Sequence, residues 1–71
     1  MTHARRIAAR DIAVRIIEAE TGLRACVRLD RDAAVWRVMV NTEEGWSPVC
    51  SAHTLADLPR SAELYAAGLV T

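Results

Sequence analysis

The residues closest to reactive chemistry stand near the end of the chain. In Cys50-Ser51-Ala52-His53 a thiol and an imidazole lie three residues apart, and Asp57 follows. Cysteine nucleophilic catalysis uses such a set: a base takes the thiol proton and a third group orients the base. A domain of 71 residues rarely encloses the several hundred Å³ that a substrate occupies. A structural zinc site needs four ligands, commonly in two spaced pairs. Beyond Cys50 and His53 only Cys26 and His3 offer thiol or imidazole, both on other elements. Ser47 and Ser51 have no acid–base partner in the pattern, and Glu43-Glu44 reads as a solvated turn. No phosphate loop or nucleophile elbow is present. The sequence therefore predicts no enzyme, no metal and no cofactor.

A chain of this length is one domain, residues 1–71. With 52% hydrophobic and 25% charged residues it is globular in composition rather than disordered. Aromatic side chains are scarce, with Trp36, Trp46 and Tyr65 and no Phe. The core must come from Ile, Val, Leu and Ala, thin filling for a domain near the lower size limit of independent folding. That thinness predicts a homodimer. Net charge is zero, so no global field draws the chain to nucleic acid or an anionic membrane. All nine basic residues are Arg, and only Arg60 lies beyond Arg37. The start has no long apolar run and no small-residue cleavage site. The expected setting is cytoplasmic, with Cys26 and Cys50 as free thiols.

The elements follow from periodicity. Thr2 is placed to cap a helix over 3–20, which Thr21-Gly22 ends with glycine at the left-handed position. From Leu23 the period drops to two: Leu23, Ala25, Val27 and Leu29 alternate with Arg24, Cys26, Arg28 and Asp30. After the turn at 30–33, a second strand over 34–41 sets Trp36, Val38 and Val40 against Val35, Arg37 and Met39. Thr42-Glu43-Glu44-Gly45 forms a second hairpin loop. A weaker strand over 46–51 is confined to a sheet edge by Pro48. A turn or short helix starts at Thr54, and Pro59 opens a last helix through Ala67 that Gly68 closes. The fold class is α+β in the order α-β-β-β-α: a three-stranded antiparallel meander with two helices packed on one face.

This order resembles the layout of double-stranded RNA-binding domains, whose Lys-rich entry to the last helix has no counterpart in Ala56-Asp57-Leu58-Pro59-Arg60. Glu20-Thr21-Gly22 followed by Trp36-Arg37-Val38-Met39-Val40 resembles the helix-then-strand start of gas vesicle accessory protein O relatives, without their acidic strand end and basic tail. Val40-Asn41-Thr42-Glu43 with Ser47 is similar to the hairpin of MbtH-like proteins, without their Trp-Pro pair. None of these assigns a family.

Two surfaces remain. On a wheel of the first helix, Ala8, Ala9, Ile12, Ala13, Ile16, Ile17 and Ala19 cover one arc, the expected core face. The other arc holds His3, Arg10, Asp11, Arg15 and Glu18, together with Ile7 and Val14 on one line. The helix also carries its charges against its dipole, with Arg5, Arg6 and Arg10 early and Glu18 and Glu20 late. Two copies packed antiparallel would bring Arg6 and Arg10 of one near Glu18 and Glu20 of the other. A salt-bridged solvated face, with Asp11–Arg15 and Arg15–Glu18 paired, is the plainer reading. On the sheet, Leu23, Val27, Trp36 and Val38 are expected to face the helices. Arg24, Cys26, Arg28, Val35, Arg37 and Met39 then face outward, without aromatics for base stacking. The expected function is a small non-catalytic protein-binding module (an accessory, adaptor or inhibitor subunit) working as a homodimer. Its partner contacts are expected at Ile7, Arg10, Val14 and Glu18 on the helix and Arg24, Arg28, Arg37 and Met39 on the sheet. A nucleic-acid-binding module using the arginine-bearing sheet face is the alternative.

Overall fold

A stripe of small side chains decides how the first helix sits. In the computed structural model, which describes residues 3–68, α1 spans His3–Thr21 and buries Ala9, Ala13 and Ile17. These stand at successive i+4 positions, one line along the helix. Alanine lets the helix backbone come close to whatever it covers. Val14 and Ile16 flank the stripe, half-buried against the core. The wheel's expectation is corrected here. Ala9, Ala13, Ile16 and Ile17 of the expected arc face the core, but Ile12 is 45% exposed and Ala8 and Ala19 are exposed too, so only one side of the arc is buried. The proposed cap Thr2 lies outside the described residues. Thr21 turns its hydroxyl back to the Ile17 carbonyl at 2.7 Å, and Gly22 ends the helix at φ 71°.

The meander is as the alternation predicts, shifted by a residue or two at its ends. β1 (Ala25–Asp30), β2 (Val35–Thr42) and β3 (Gly45–Ala52) form one antiparallel sheet in that order. Leu23 precedes β1 and is 39% exposed, so it does not face the helices as expected. Ala34 closes the first hairpin at φ 56°, a conformation that costs an L side chain roughly 1–2 kcal/mol. In the second hairpin the Thr42 hydroxyl donates to the Gly45 carbonyl at 2.8 Å and accepts from the Glu44 N–H, while Gly45 takes φ 113°.

Thr54 accepts from the Asp57 N–H and starts a single 3-10 turn, Leu55–Asp57. α2 (Leu58–Ala66) follows with Pro59 in its first turn. The Ser61 hydroxyl donates to the Ser51 carbonyl and ties α2 to β3. Both helices lie on one face of the sheet. Beneath them Val27, Val38, Val40 and Cys50 meet Leu55, Leu58 and Ala62 in one cluster. At the other end Arg6 of α1 covers Trp36 of β2, its guanidinium 5.9 Å from the ring centroid.

Ile17, Leu58 and Val38 are the largest side chains fully out of water. Leu58→Ala removes the central one and leaves a cavity, at a cost of about 2–5 kcal/mol. Domains of this size hold roughly 0.05–0.15 kcal/mol per residue, so that loss is a large share of the whole. Denaturant unfolding is expected to show a sharply lowered midpoint for Leu58→Ala. Ile12→Ala, by contrast, should stay within about 1 kcal/mol of the parent, because Ile12 is exposed.

Candidate functional site

The open face of the sheet is built in rows, fixed by strand register. The Asn41 N–H donates to the Arg24 carbonyl at 2.8 Å, and Asn41 stands opposite Trp46. Arg24, Asn41 and Trp46 thus cross the sheet as one row. Cys26, Met39 and Pro48 make the next, and Arg28, Arg37 and Ser51 the third. Asp30 stands opposite Val35 at the end.

Trp46 on this face corrects the expectation that it shows no aromatic. Cys50 pairs with Val38 and lies on the helix side, four residues further along the same strand. Residues four apart share a face in a regular strand. The register shifts between Val38 and Met39, where their partners are Cys50 and Pro48, so Val49 is the extra residue of a bulge. The bulge reverses the phase and leaves Trp46 outward and 42% exposed.

Charge on the face is unbalanced. Arg28 lies directly opposite Arg37, an arrangement that destabilises a sheet. The Asp30 carboxylate accepts from Arg37 Nε and Nη2, each at 3.2 Å, and from the Asp32 and Ala33 N–H groups, each at 3.1 Å. Asp30 thus relieves Arg37 and shapes the hairpin together. Arg24, Arg28 and Arg37 against Asp30 leave a charge of 3 − 1 = +2 on these rows. The N–H of Ala33 is the foremost cause that holds the Asp30 carboxyl below its ordinary value, with Arg37 next; partial desolvation works weakly against them.

The helix residues expected to bind a partner divide. Ile7 is 46% exposed and Arg10 is exposed beside it. Val14 is corrected from a free aliphatic to one packed against the core. Glu18 is engaged within the fold: its carboxylate accepts from the Ala25 N–H at 3.1 Å. Neither Asp11–Arg15 nor Arg15–Glu18 forms an ion pair among the described residues. Arg6 on Trp36 and Glu18 on Ala25 answer inside the molecule two of the charges that oppose the helix dipole. Ile7, Arg10, Asp11 and Val14 line an open cleft of about 290 Å³ with Cys26 and Val27, between α1 and the free edge of β1.

No protein-family model, curated protein or solved structure matches the chain. Its sites are therefore read from geometry alone.

The Cys50–His53 pair is not brought together for catalysis. Cys50 belongs to the buried cluster, while His53 is exposed in the turn that follows β3. Burial pushes the Cys50 thiol up to about 11, against a smaller downward pull from a backbone hydrogen bond at Val38. It is a neutral thiol at physiological pH. Cys26 lies half-buried on the opposite face, so the two cysteines cannot bridge. Among the described residues no three His, Cys, Asp or Glu side chains converge as metal ligands, and no helix is long and apolar enough to cross a membrane.

Two measurements check these environments. Cys26 is expected to react with an aromatic disulfide reagent in the folded protein, and Cys50 only as fast as the chain unfolds; equal rates would contradict the burial. For Asp30, a lowered native value means that its stabilising effect is complete above the unfolded value near 3.8 and fades as pH falls through the native one. Acid titration of stability should therefore show a shallower loss below about pH 4 for Asp30→Asn than for the parent.

Proposed function

We propose that this chain is a small non-catalytic protein-binding module whose open sheet face receives an acidic protein surface. The observation that carries the reading is Arg28, set opposite Arg37 and with no acidic partner of its own among the described residues, with Met39 in the next row and an exposed Trp46 in the row beyond. Trp, Met and Arg are the side chains enriched at interfaces, and Trp and Arg dominate binding energy when desolvated by a partner. Carboxylates match the arginine fork in two-point contacts. A sheet face that serves only as a solvated exterior has no use for like charges set directly opposite each other. The setting we infer is cytoplasmic, in keeping with two thiols held apart on opposite faces of the sheet.

Trp46 also favours a second reading, single-stranded nucleic acid with a base stacked on the indole and phosphates on Arg24 and Arg28. Glu43 and Glu44 at the hairpin tip next to Trp46 repel phosphate and carboxylate alike; what opposes the second reading is that Trp46 is the one aromatic on these rows, where strand-binding surfaces stack successive bases.

Affinity capture from a lysate of the source cells separates the readings. Wild-type protein is expected to retain a protein partner that salt elutes, and Arg28→Glu and Trp46→Ala to lose it by about tenfold or more. The same partner held equally by wild type and Arg28→Glu would overturn the reading. Binding to a single-stranded oligonucleotide, with log K falling by about 0.7 per phosphate contact for each unit of log salt, would establish the second reading instead.

A further inference from the structure

The two edges of the sheet are not alike. β3 carries Pro48 and the bulge at Val49, both devices that stop another strand from adding. β1 (Ala-Cys-Val-Arg-Leu-Asp) carries no proline, and its pairing with β2 runs without a bulge. Its free groups follow from the ladder. Arg24 is hydrogen-bonded to Asn41, so by alternation Cys26, Arg28 and Asp30 bond toward β2. Ala25, Val27 and Leu29 then point their N–H and C=O groups away from the sheet. Glu18 takes the Ala25 N–H, which agrees with that direction. Val27 and Leu29 are left with both backbone groups directed away from β2 at the sheet edge, where Val27 is 9% exposed, its side chain under α1, and Leu29 is 43% exposed.

We infer that this edge pairs with the same edge of a second copy, antiparallel and centred on Val27. Self-pairing about a two-fold axis allows only a few registers. Centred on Cys26, it sets Arg24 opposite Arg28 of the second copy. Centred on Arg28, it sets that arginine opposite itself. Like charges directly across a ladder are destabilising. Centred on Val27, Arg24 stands opposite Asp30 of the second copy, Cys26 opposite Arg28, and Ala25 opposite Leu29. The Val27 residues exchange both backbone hydrogen bonds, and each Leu29 N–H reaches the Ala25 carbonyl of the other copy. Glu18 keeps its own bond throughout.

The helices agree with this register. A two-fold axis normal to the sheet keeps all helices on one side and lays the two α1 helices antiparallel. The cleft between α1 and β1 has its helix residues centred between Arg10 and Asp11. Closing it around the axis sets Ile7 against Val14 of the second copy and Arg10 against Asp11. A row of self-complementary contacts, apolar and ionic, results. The exposed Ile7 and the edge of Val27 are covered together. This interface uses the backbone edge of β1 and the side of α1 rather than the open face, and, although Arg24 and Arg28 border both, it stands or falls on its own test.

Charge exchange and cross-linking test the arrangement. Wild-type protein is expected to sediment as a dimer at high micromolar concentration. Asp11→Arg alone sets arginine against Arg10, and Arg10→Asp alone sets aspartate against Asp11. Each should weaken association by about tenfold or more. An equimolar mixture of the two variants makes both contacts complementary again and should recover the dimer. Circular dichroism checks that each variant is folded, which the exposed positions favour. Arg28→Cys places a thiol opposite Cys26 of the second copy at a non-hydrogen-bonded pair, where Cα atoms lie about 4.5 Å apart, within disulfide reach. Mild oxidation should yield covalent dimer from Arg28→Cys and not from wild type. A monomeric wild type overturns the inference. So does a dimer that Arg28→Cys fails to cross-link, or one that the mixed variants fail to restore.

Discussion

Everything in this small domain rests on how closely α1 approaches the sheet. The approach is set by Ala9 and Ala13, whose small side chains let Ile17 reach the same depth as Leu58 and Val38. With no Phe, and with Trp36 and Tyr65 only partly buried at the margin of the core, the fully buried set contains no aromatic ring. Interior packing is dense and tolerates few voids, so a core of this size works only if its layers are close. The position of α1 then decides the rest. It brings Arg6 over Trp36, Glu18 to the start of β1, and the Ile7–Val14 side to the sheet edge.

The same constraint explains why the strands and turns are legible from sequence while the orientation of α1 is not. Alternation at residues 25–30 and 35–42 places each side chain by parity, and Gly22, Gly45 and Gly68 mark turns that need positive φ. In α1 the apolar residues run almost all round the helix, so the broadest arc has no special claim to the core. Side-chain volume acts beside hydrophobicity: alanines at 9 and 13 let the helix lie close, and Ile17 fills the deeper end of the same line while Ile12 stays outside. A wheel weighs Ile12 and Ala13 by polarity and cannot see that difference. Trp46 escapes for another reason. Parity from Cys50 would turn it inward, and only the bulge reverses it. Pro48 is the sequence's one sign of that irregularity, because a missing N–H weakens the ladder where the extra residue enters.

Of the residues expected at a partner surface, the sheet group comes together on one face, and the helix group loses only Glu18. Arg24, Arg28, Arg37 and Met39 share one face by register, a consequence of period two. Charge and helical angle alone do not separate Glu18 from Ile7, Arg10 and Val14, whereas the fold does. Val14 is half-buried against the core but still lines the cleft with Ile7 and Arg10, and Glu18 alone turns away to close an N–H of β1. The charge order of α1 is thus less anomalous than it looks in isolation. A dipole penalty of about 0.3–1 kcal/mol per charge is offset where the same charge stacks on a ring or accepts a backbone hydrogen bond.

Arg28 and Arg37 have no comparable settlement. A sheet can place any pair of side chains opposite each other, and a threonine or glutamate at position 28 would remove the repulsion at no cost to the core, since the row points away from it. Asp30 relieves Arg37 only, and does so while its other oxygen shapes the hairpin, so it has no capacity left for Arg28. The remaining charge lies one row from Met39 and two rows from an outward Trp46, a mixture poorly served by water alone. Arg28 breaks a local rule without compensation within the fold, and such sites are where external contacts are best sought. The open face, rather than any buried group, therefore carries the weight of the functional reading.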